Sequence, residues 1–196
     1  GFMASPALID INQDGVRDVV IGSRNGSIYA LNGTNGNVLW KFRTKTPSGV
    51  FSSIFVVYNR IYCTESYGGI YQLNPNGEVV NQWQVSNPSN EPILFSSPVV
   101  SAKRTVAIGV SKKDNQGGVW IAGRKRRPVF HSIGKVSATG FIADLLDNKS
   151  VQFGFLSENG WLQLLDESGV LIGRFSLPYG GEATPLVADI DQDGLL

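Results

Sequence analysis

A single cysteine, a single histidine and a single methionine occur in 196 residues, and these scarcities exclude whole classes of chemistry. Cys63 has no second thiol to pair with. Set in the apolar run RIYCTES without a basic or histidine neighbour in the local sequence, it reads as a buried small hydrophobe rather than a reactive nucleophile. One imidazole, His131, rules out multi-histidine zinc sites and leaves little room for histidine-based catalysis. No apolar run approaches the ~18 residues that a membrane-spanning helix needs, so no membrane insertion is expected. No secretory leader is visible, and GFMASPALID already reads as a first strand. Charge of one sign is missing too: 17 Lys and Arg against 16 Asp and Glu leave a net +1, so no global field recruits nucleic acid or an acidic membrane. A nucleophile elbow, a phosphate-cradling glycine loop leading into a helix and a supported catalytic triad are all absent from the sequence. No catalytic residue is therefore assigned, and a non-enzymatic role is expected.

What the sequence does contain is repetition, which constrains architecture before any local reading. The unit SPALIDINQDGVRDVVIGSRNGSIYALNGTNGNVLWKFRT, starting at Ser5, returns as TGFIADLLDNKSVQFGFLSENGWLQLLDESGVLIGRFSL, starting at Thr139. Asp10 falls on Asp144, Ser23 on Ser157, and Asn25-Gly26 on Asn159-Gly160. Two further copies start near Ser52 and Ser96, and a fifth opens at ATPLVADIDQDGLL. Each copy holds four short β-branched or aromatic runs separated by polar turns, as in PALIDI, DVVIGS, SIYALN and VLWKFR. The middle hairpins SRNGS, SYGGI, NQGGV and SENGW offer Gly or Asn-Gly where a tight turn requires positive φ. Four antiparallel strands form a blade, and a lone blade exposes both faces, so blades must stack side by side. The expected fold is all-β: a single β-propeller region over residues 1–196. Its blades are expected at approximately 4–44, 50–85, 95–133 and 138–177, with the first strand of a further blade in 182–196. Such a set leaves open blade faces, through which a homo-oligomer could form.

The stretch DINQDGVRD raises the main chemical question. Asp10, Asn12 and Asp14 alternate, so their side chains can converge from one side of a tight loop; Gly15 permits the reversal, the carbonyl of Val16 can turn inward, and Asp18 closes the set. Calcium takes six to eight oxygens of this kind. The alternative is a solvated turn rich in Asx hydrogen bonds, which needs only one or two of these residues. The same spacing recurs at Asp189, Asp191 and Asp193, whereas the fourth repeat substitutes Leu146, Asn148 and Gln152 and is not expected to bind. The second and third repeats shorten the loop to a plain hairpin. Mutual repulsion of closely spaced carboxylates favours the cation, and a site filled by protein oxygens does not itself activate water, so calcium is expected as a structural staple.

Two resemblances follow from these residues. ALNGTNGNVLW, residues 30–40, resembles the tryptophan-docking pattern of PQQ-like propeller repeats, with Ala30, Gly36 and Trp40 matching and Asn32 and Asn35 departing. DINQDGVRDVVIG resembles the calcium loop of FG-GAP or VCBS repeats, which implies ligation by Asp10, Asn12, Asp14, Val16 and Asp18. Trp40 corresponds to about Asn81 in the second repeat and to Gly173 in the fourth, so the docking pattern is confined to the first. Quinone-dependent members of the PQQ-like family carry a vicinal cysteine pair; the one cysteine here argues against PQQ as a cofactor.

Arg124, Lys125, Arg126 and Arg127 form the strongest charge cluster, in the turn between the third and fourth strands of the third blade. They read as a solvated turn, or alternatively as a patch for an anion or an acidic partner. Without interleaved aromatics they do not suggest nucleic acid. Trp40, Trp83, Trp120 and Trp161 are expected to pack between blades, and His131 to end an outer strand. The functional expectation is a calcium-binding, non-catalytic scaffold for a protein or glycan ligand, part of a larger extracellular, cell-surface or periplasmic protein. Two alternatives are a quinoprotein-like or polysaccharide-processing enzyme, and a periplasmic scaffold that assembles outer-membrane proteins.

Overall fold

The computed structural model describes residues 1, 5–46, 49–50, 53–86, 91–113, 115–123 and 128–190. Every regular element among them is a β-strand, and two compact units, Gly1–Ser97 and Pro98–Leu196, carry them. In the first unit one sheet is β1 (Ala7–Ile9), β2 (Asp18–Gly22), β3 (Ser27–Leu31) and β4 (Val38–Arg43). A second is β5 (Phe55–Val57), β6 (Arg60–Thr64), β7 (Gly69–Leu73) and β8 (Val79–Gln84), and the two-residue β9 (Leu94–Phe95) follows. In the second unit β10 (Val99–Val100), β11 (Val106–Ser111), β12 (Gly117–Ala122) and β13 (Val129–Ser132) form the third meander. The fourth is β14 (Phe141–Ala143), β15 (Gln152–Leu156), β16 (Trp161–Asp166) and β17 (Leu171–Ser176). In each of the four sheets the main path is four antiparallel strands in chain order, with β9 off that path, and this is the four-stranded blade of a β-propeller.

The strand sequences account for their places. β7 and β12, GIYQL and GGVWIA, are buried along their whole length, whereas the fourth strands β4 and β17 are largely exposed. β2 alternates buried and half-buried positions, and so does most of β16, leaving one face of the first sheet and one of the fourth less covered. Within the first unit Val20, Ile28 and Ala30 of one blade pack with Ile61, Cys63, Tyr71 and Leu73 of the next, and Val50 and Ile54 of the connecting segment seal the gap. The second unit repeats the arrangement with Val119 and Ile121 against Phe153, Phe155 and Leu165, closed by Ile133 and Val136. Fully burying one such side chain stabilises the fold by roughly 1.5–3 kcal/mol.

The repeat is visible in register as well as in sequence. Trp40 pairs opposite Ala30, Asn81 opposite Gln72 and Gly173 opposite Leu164, each beside a bulge. These are the correspondences read from the sequence. One turn expectation needs correction. Gly26, Gly68 and Gly160 do adopt positive φ in their hairpins, but in the third blade Asn115 takes that role at φ 59°. Gly117 and Gly118 of NQGGV are strand residues instead. A Cβ on them would lie 2.2 Å from the Val110 carbonyl oxygen and 2.0 Å from that of His131, so close strand approach, not a turn, requires glycine. In the segment expected to open a further blade, residues 182–190 hold no strand and Leu186 and Ile190 are exposed. A β-strand needs a hydrogen-bonded neighbour, and none pairs with this segment among the described residues.

Candidate functional site

The segment Asp10–Asp18 joins β1 to β2, and its conformation is set by its own side chains. Asp10 Oδ1 accepts the N–H of Asp14 at 3.2 Å and Oδ2 that of Gly15 at 3.0 Å. Asn12 Oδ1 accepts the Asp14 N–H at 3.2 Å, while its amide nitrogen donates to Asp14 Oδ2 at 2.8 Å. Asp14 Oδ1 accepts the Val16 N–H at 2.8 Å. Gln13 and Gly15, at φ 61° and 85°, supply the left-handed steps of the reversal. The Val16 N–H and the Asn12 amide together hold the Asp14 carboxyl below its ordinary value.

Asp18 differs from the others. It is fully buried, and its two oxygens accept the N–H groups of Ile11 at 2.8 Å and Gly33 at 2.9 Å. It thus ties the β1–β2 loop to the β3–β4 turn. The tie depends on close approach at Gly33, where a Cβ would stand 2.0 Å from the Arg17 carbonyl oxygen. A carboxylate oxygen that accepts one N–H keeps a second lone pair, so Asp10, Asn12 and Asp14 still present oxygens suited to a hard cation. Among the described residues no three His, Cys, Asp or Glu side chains gather closely enough to hold a metal alone. A cation here would need the Asn12 amide oxygen and main-chain carbonyls, such as that of Val16, beside the two outer carboxylates. Asp189 lies half-buried in the strandless segment 182–190. Asp191 and Asp193, like Arg124, Lys125, Arg126 and Arg127, lie outside the described residues, although the basic run is flanked by β12 and β13 as expected.

Trp40 docks as its repeat pattern implies, and three further arrangements were missed in the sequence. Trp40 donates its indole N–H to the Pro75 carbonyl at 2.7 Å and lies on the β7–β8 turn, where a Cβ on Gly77 would stand 2.7 Å from the ring. The equivalent docking in the second unit is made by His131, whose Nε2 lies 2.7 Å from the Gly169 carbonyl in the β16–β17 turn. A search for tryptophan alone passes over it. Glu65, buried at the β6–β7 turn, accepts the N–H groups of Gly69 and Tyr67 and the Thr46 hydroxyl, at 2.9, 3.1 and 2.6 Å. Cys63 is fully buried; burial first, then the charge of Glu65, pushes its thiol far above the ordinary range, which removes it as a nucleophile. The third arrangement is a cleft of about 280 Å³ in the second unit, lined by Asn115, Lys135, Glu158 and Asn159. Its walls come from segments that no single motif spans.

Residues 4–114 match a family model described as the lambda-carrageenase beta-propeller domain. No curated protein matches the chain. Among solved structures it is similar to BamB from Moraxella catarrhalis, at TM-score 0.58 and 19% identity over 85% of this chain and 48% of that one. It is also similar to quinohemoprotein alcohol dehydrogenase from Comamonas testosteroni, at TM-score 0.68 and 11% identity over 93% of this chain and 36% of that one. A computationally designed protein, Ika8, aligns at TM-score 0.61 and 13% identity over 93% and 52%. At these identities the likeness is one of fold, that of a PQQ-like β-propeller. The chain spans about half or less of each of these structures.

Proposed function

The chain belongs to the family of lambda-carrageenase β-propeller domains, and from that membership we propose that it is a non-catalytic glycan-binding module, with a calcium ion stapling the loop Asp10–Asp18. It works as part of a larger secreted, surface or periplasmic protein. The observation that carries the reading is the family match over residues 4–114, to the propeller domain of an enzyme named for a polysaccharide. The chemistry of the carboxylates supports a structural role. Asp10, Asp14, Asp18 and Glu65 all accept main-chain N–H groups, which fixes their side chains as parts of the turns, and the Asp14 carboxyl is held below its ordinary value rather than raised toward neutrality as a general acid requires. The loop would contribute Asp10, Asn12, Asp14 and the Val16 carbonyl to calcium, with Asp18 beneath as the strut that holds the loop in shape. The FG-GAP-like spacing implies these donors together with Asp18, whose two oxygens accept the N–H groups of Ile11 and Gly33. Calcium would supply cohesion at the loop, not a reactive water.

A second reading, a scaffold for protein assembly, is favoured by the fold likeness to BamB. Affinity electrophoresis of the 196-residue chain through gels containing carrageenan, neutral galactan or no polysaccharide separates the readings. Selective retardation by a polysaccharide is expected. Equal mobility in all gels removes the glycan reading and leaves assembly, and release of reducing ends from the retarding polysaccharide removes the non-catalytic one.

A further inference from the structure

We propose that the cleft between the β11–β12 turn, the β13–β14 connection and the β15–β16 turn binds one anionic sugar residue; this rests on the glycan reading above and names its site and ligand class. Asn115 comes from the first of these segments, Lys135 from the second, and Glu158 and Asn159 from the third. At about 280 Å³ the cleft falls just below the usual ~300–1,000 Å³ of small-molecule sites, a size for a single ring with its substituents rather than a long chain.

The walls are fixed before any ligand arrives. The Glu158 N–H donates to the Lys135 carbonyl at 2.8 Å, clipping the turn to the connection. Gly134, at φ 93°, passes so close to Asn159 that a Cβ would meet its amide nitrogen at 2.8 Å. Asn115 holds the left-handed conformation at φ 59°. Pre-set walls of this kind lower the ordering cost of binding a small polar ligand.

The side chains then define the ligand. The Ser157 hydroxyl donates to Asn159 Oδ1 at 2.5 Å, which leaves the Asn159 amide N–H groups to donate into the cleft. Glu158 Oε1 accepts the Ser137 hydroxyl, whose oxygen lies 3.2 Å from that of Ser111, while Glu158 Oε2 has no hydrogen-bond donor among the described residues. Lys135 forms no ion pair among the described residues, with Glu158 or any other carboxylate. The cleft therefore offers an acceptor that wants hydroxyl donors, amides that want hydroxyl or ring oxygens, and a cation that wants a negative substituent. A bare anion would face the Glu158 carboxylate without a hydroxyl to offer it. A neutral sugar would leave Lys135 unmatched. A sugar bearing one sulfate or carboxylate satisfies all four residues.

Amide NMR titrations of the full chain with galactose 6-sulfate, galacturonate, galactose and inorganic sulfate test this, on wild type, Lys135→Gln and Glu158→Gln, with melting curves confirming that the variants fold. The acidic sugars are expected to shift the resonances of Lys135, Glu158 and Asn159. Lys135→Gln should weaken the acidic sugars at least tenfold while leaving galactose unchanged, and Glu158→Gln should weaken acidic and neutral sugars alike. Glycan retention in gels that persists with no shift at these residues would overturn the cleft and leave the glycan reading standing. If neither gels nor titrations register any glycan, both fall. Inorganic sulfate binding as tightly as the sugars would make this an anion site and overturn the sugar assignment.

Discussion

The loops Asp10–Asp18 and Asp144–Gln152 occupy the same place in the first and fourth blades and have the same internal wiring. In each, the first aspartate accepts the N–H groups four and five residues on: Asp14 and Gly15 in one, Asn148 and Lys149 in the other. In each, the last side chain accepts the N–H of the second residue, Asp18 from Ile11 and Gln152 from Leu145. Left-handed residues recur at Gln13 and Gly15, and at Asp147 and Lys149. Yet Asn12 is replaced by the exposed Leu146, and Asp14 by Asn148, which accepts the Ser150 N–H at 2.9 Å much as Asp14 accepts that of Val16 at 2.8 Å. The loop thus folds without an oxygen at its third position and without charge at its fifth. The Asn12 oxygen and the charge of Asp14 are surplus to folding, and they are what a cation would use.

The largest expected effect tests the shared wiring. Asp18→Ala strands the N–H groups of Ile11 and Gly33 and should cost about 3 kcal/mol, read as a lower urea midpoint with unchanged slope. Gln152→Ala strands one N–H, that of Leu145, together with the Ser150 carbonyl that its amide donates to, and should cost about 1–2 kcal/mol. Equal losses would mean that the Gly33 tie adds nothing. Calcium comes next. At about 100 times its dissociation constant it should raise the wild-type melting point by about 5–10 °C over EDTA. Asp14→Asn, the neutral residue of the fourth blade, should abolish that rise without unfolding the loop. Coincident wild-type curves would make the first loop as metal-free as the fourth is expected to be. The reciprocal graft, Leu146→Asn with Asn148→Asp and Lys149→Gly, should give the fourth loop a calcium response smaller than the native one. No response would show that the gap between the loops lies outside these three residues.

How much of this was legible in the sequence depended on whether the signal was local. β-branched runs between turn residues gave the blades, and the constant offset between repeats gave the equivalence of Asp10 with Asp144, because each is a property of a few consecutive residues. Asp18 was read only as a ligand because spacing shows which oxygens are near, not which side chain is buried; its bond to Gly33 joins two turns. His131 escaped as a docking residue because the repeat was compared by residue type, whereas what the fold keeps is a ring nitrogen against the next turn's carbonyl. Glu65 and the four residues of the cleft were invisible for the same reason, their partners being distant in the chain.

The smallest effect bears on the cause of the Asp14 shift. Its folded pKa lies below the ordinary 3.8, so whatever stability its ionised form contributes is complete above that value and disappears as pH falls through the lower folded value. A carbon-detected NMR titration in EDTA should therefore give Asp14 a midpoint below 3.8, and Asp14→Asn should flatten the acid edge of the melting-point curve. The single substitution Asn148→Asp asks whether the backbone alone is sufficient. If the N–H at the seventh position of the loop is the main cause, the carboxylate introduced at the fifth should titrate low as well, because Ser150 donates to that side chain in nearly the same geometry. An ordinary midpoint would instead assign the depression to the Asn12 amide, which Leu146 cannot replace. The acidity of the first loop would then belong to the same residue that separates a cation-binding loop from its repeat.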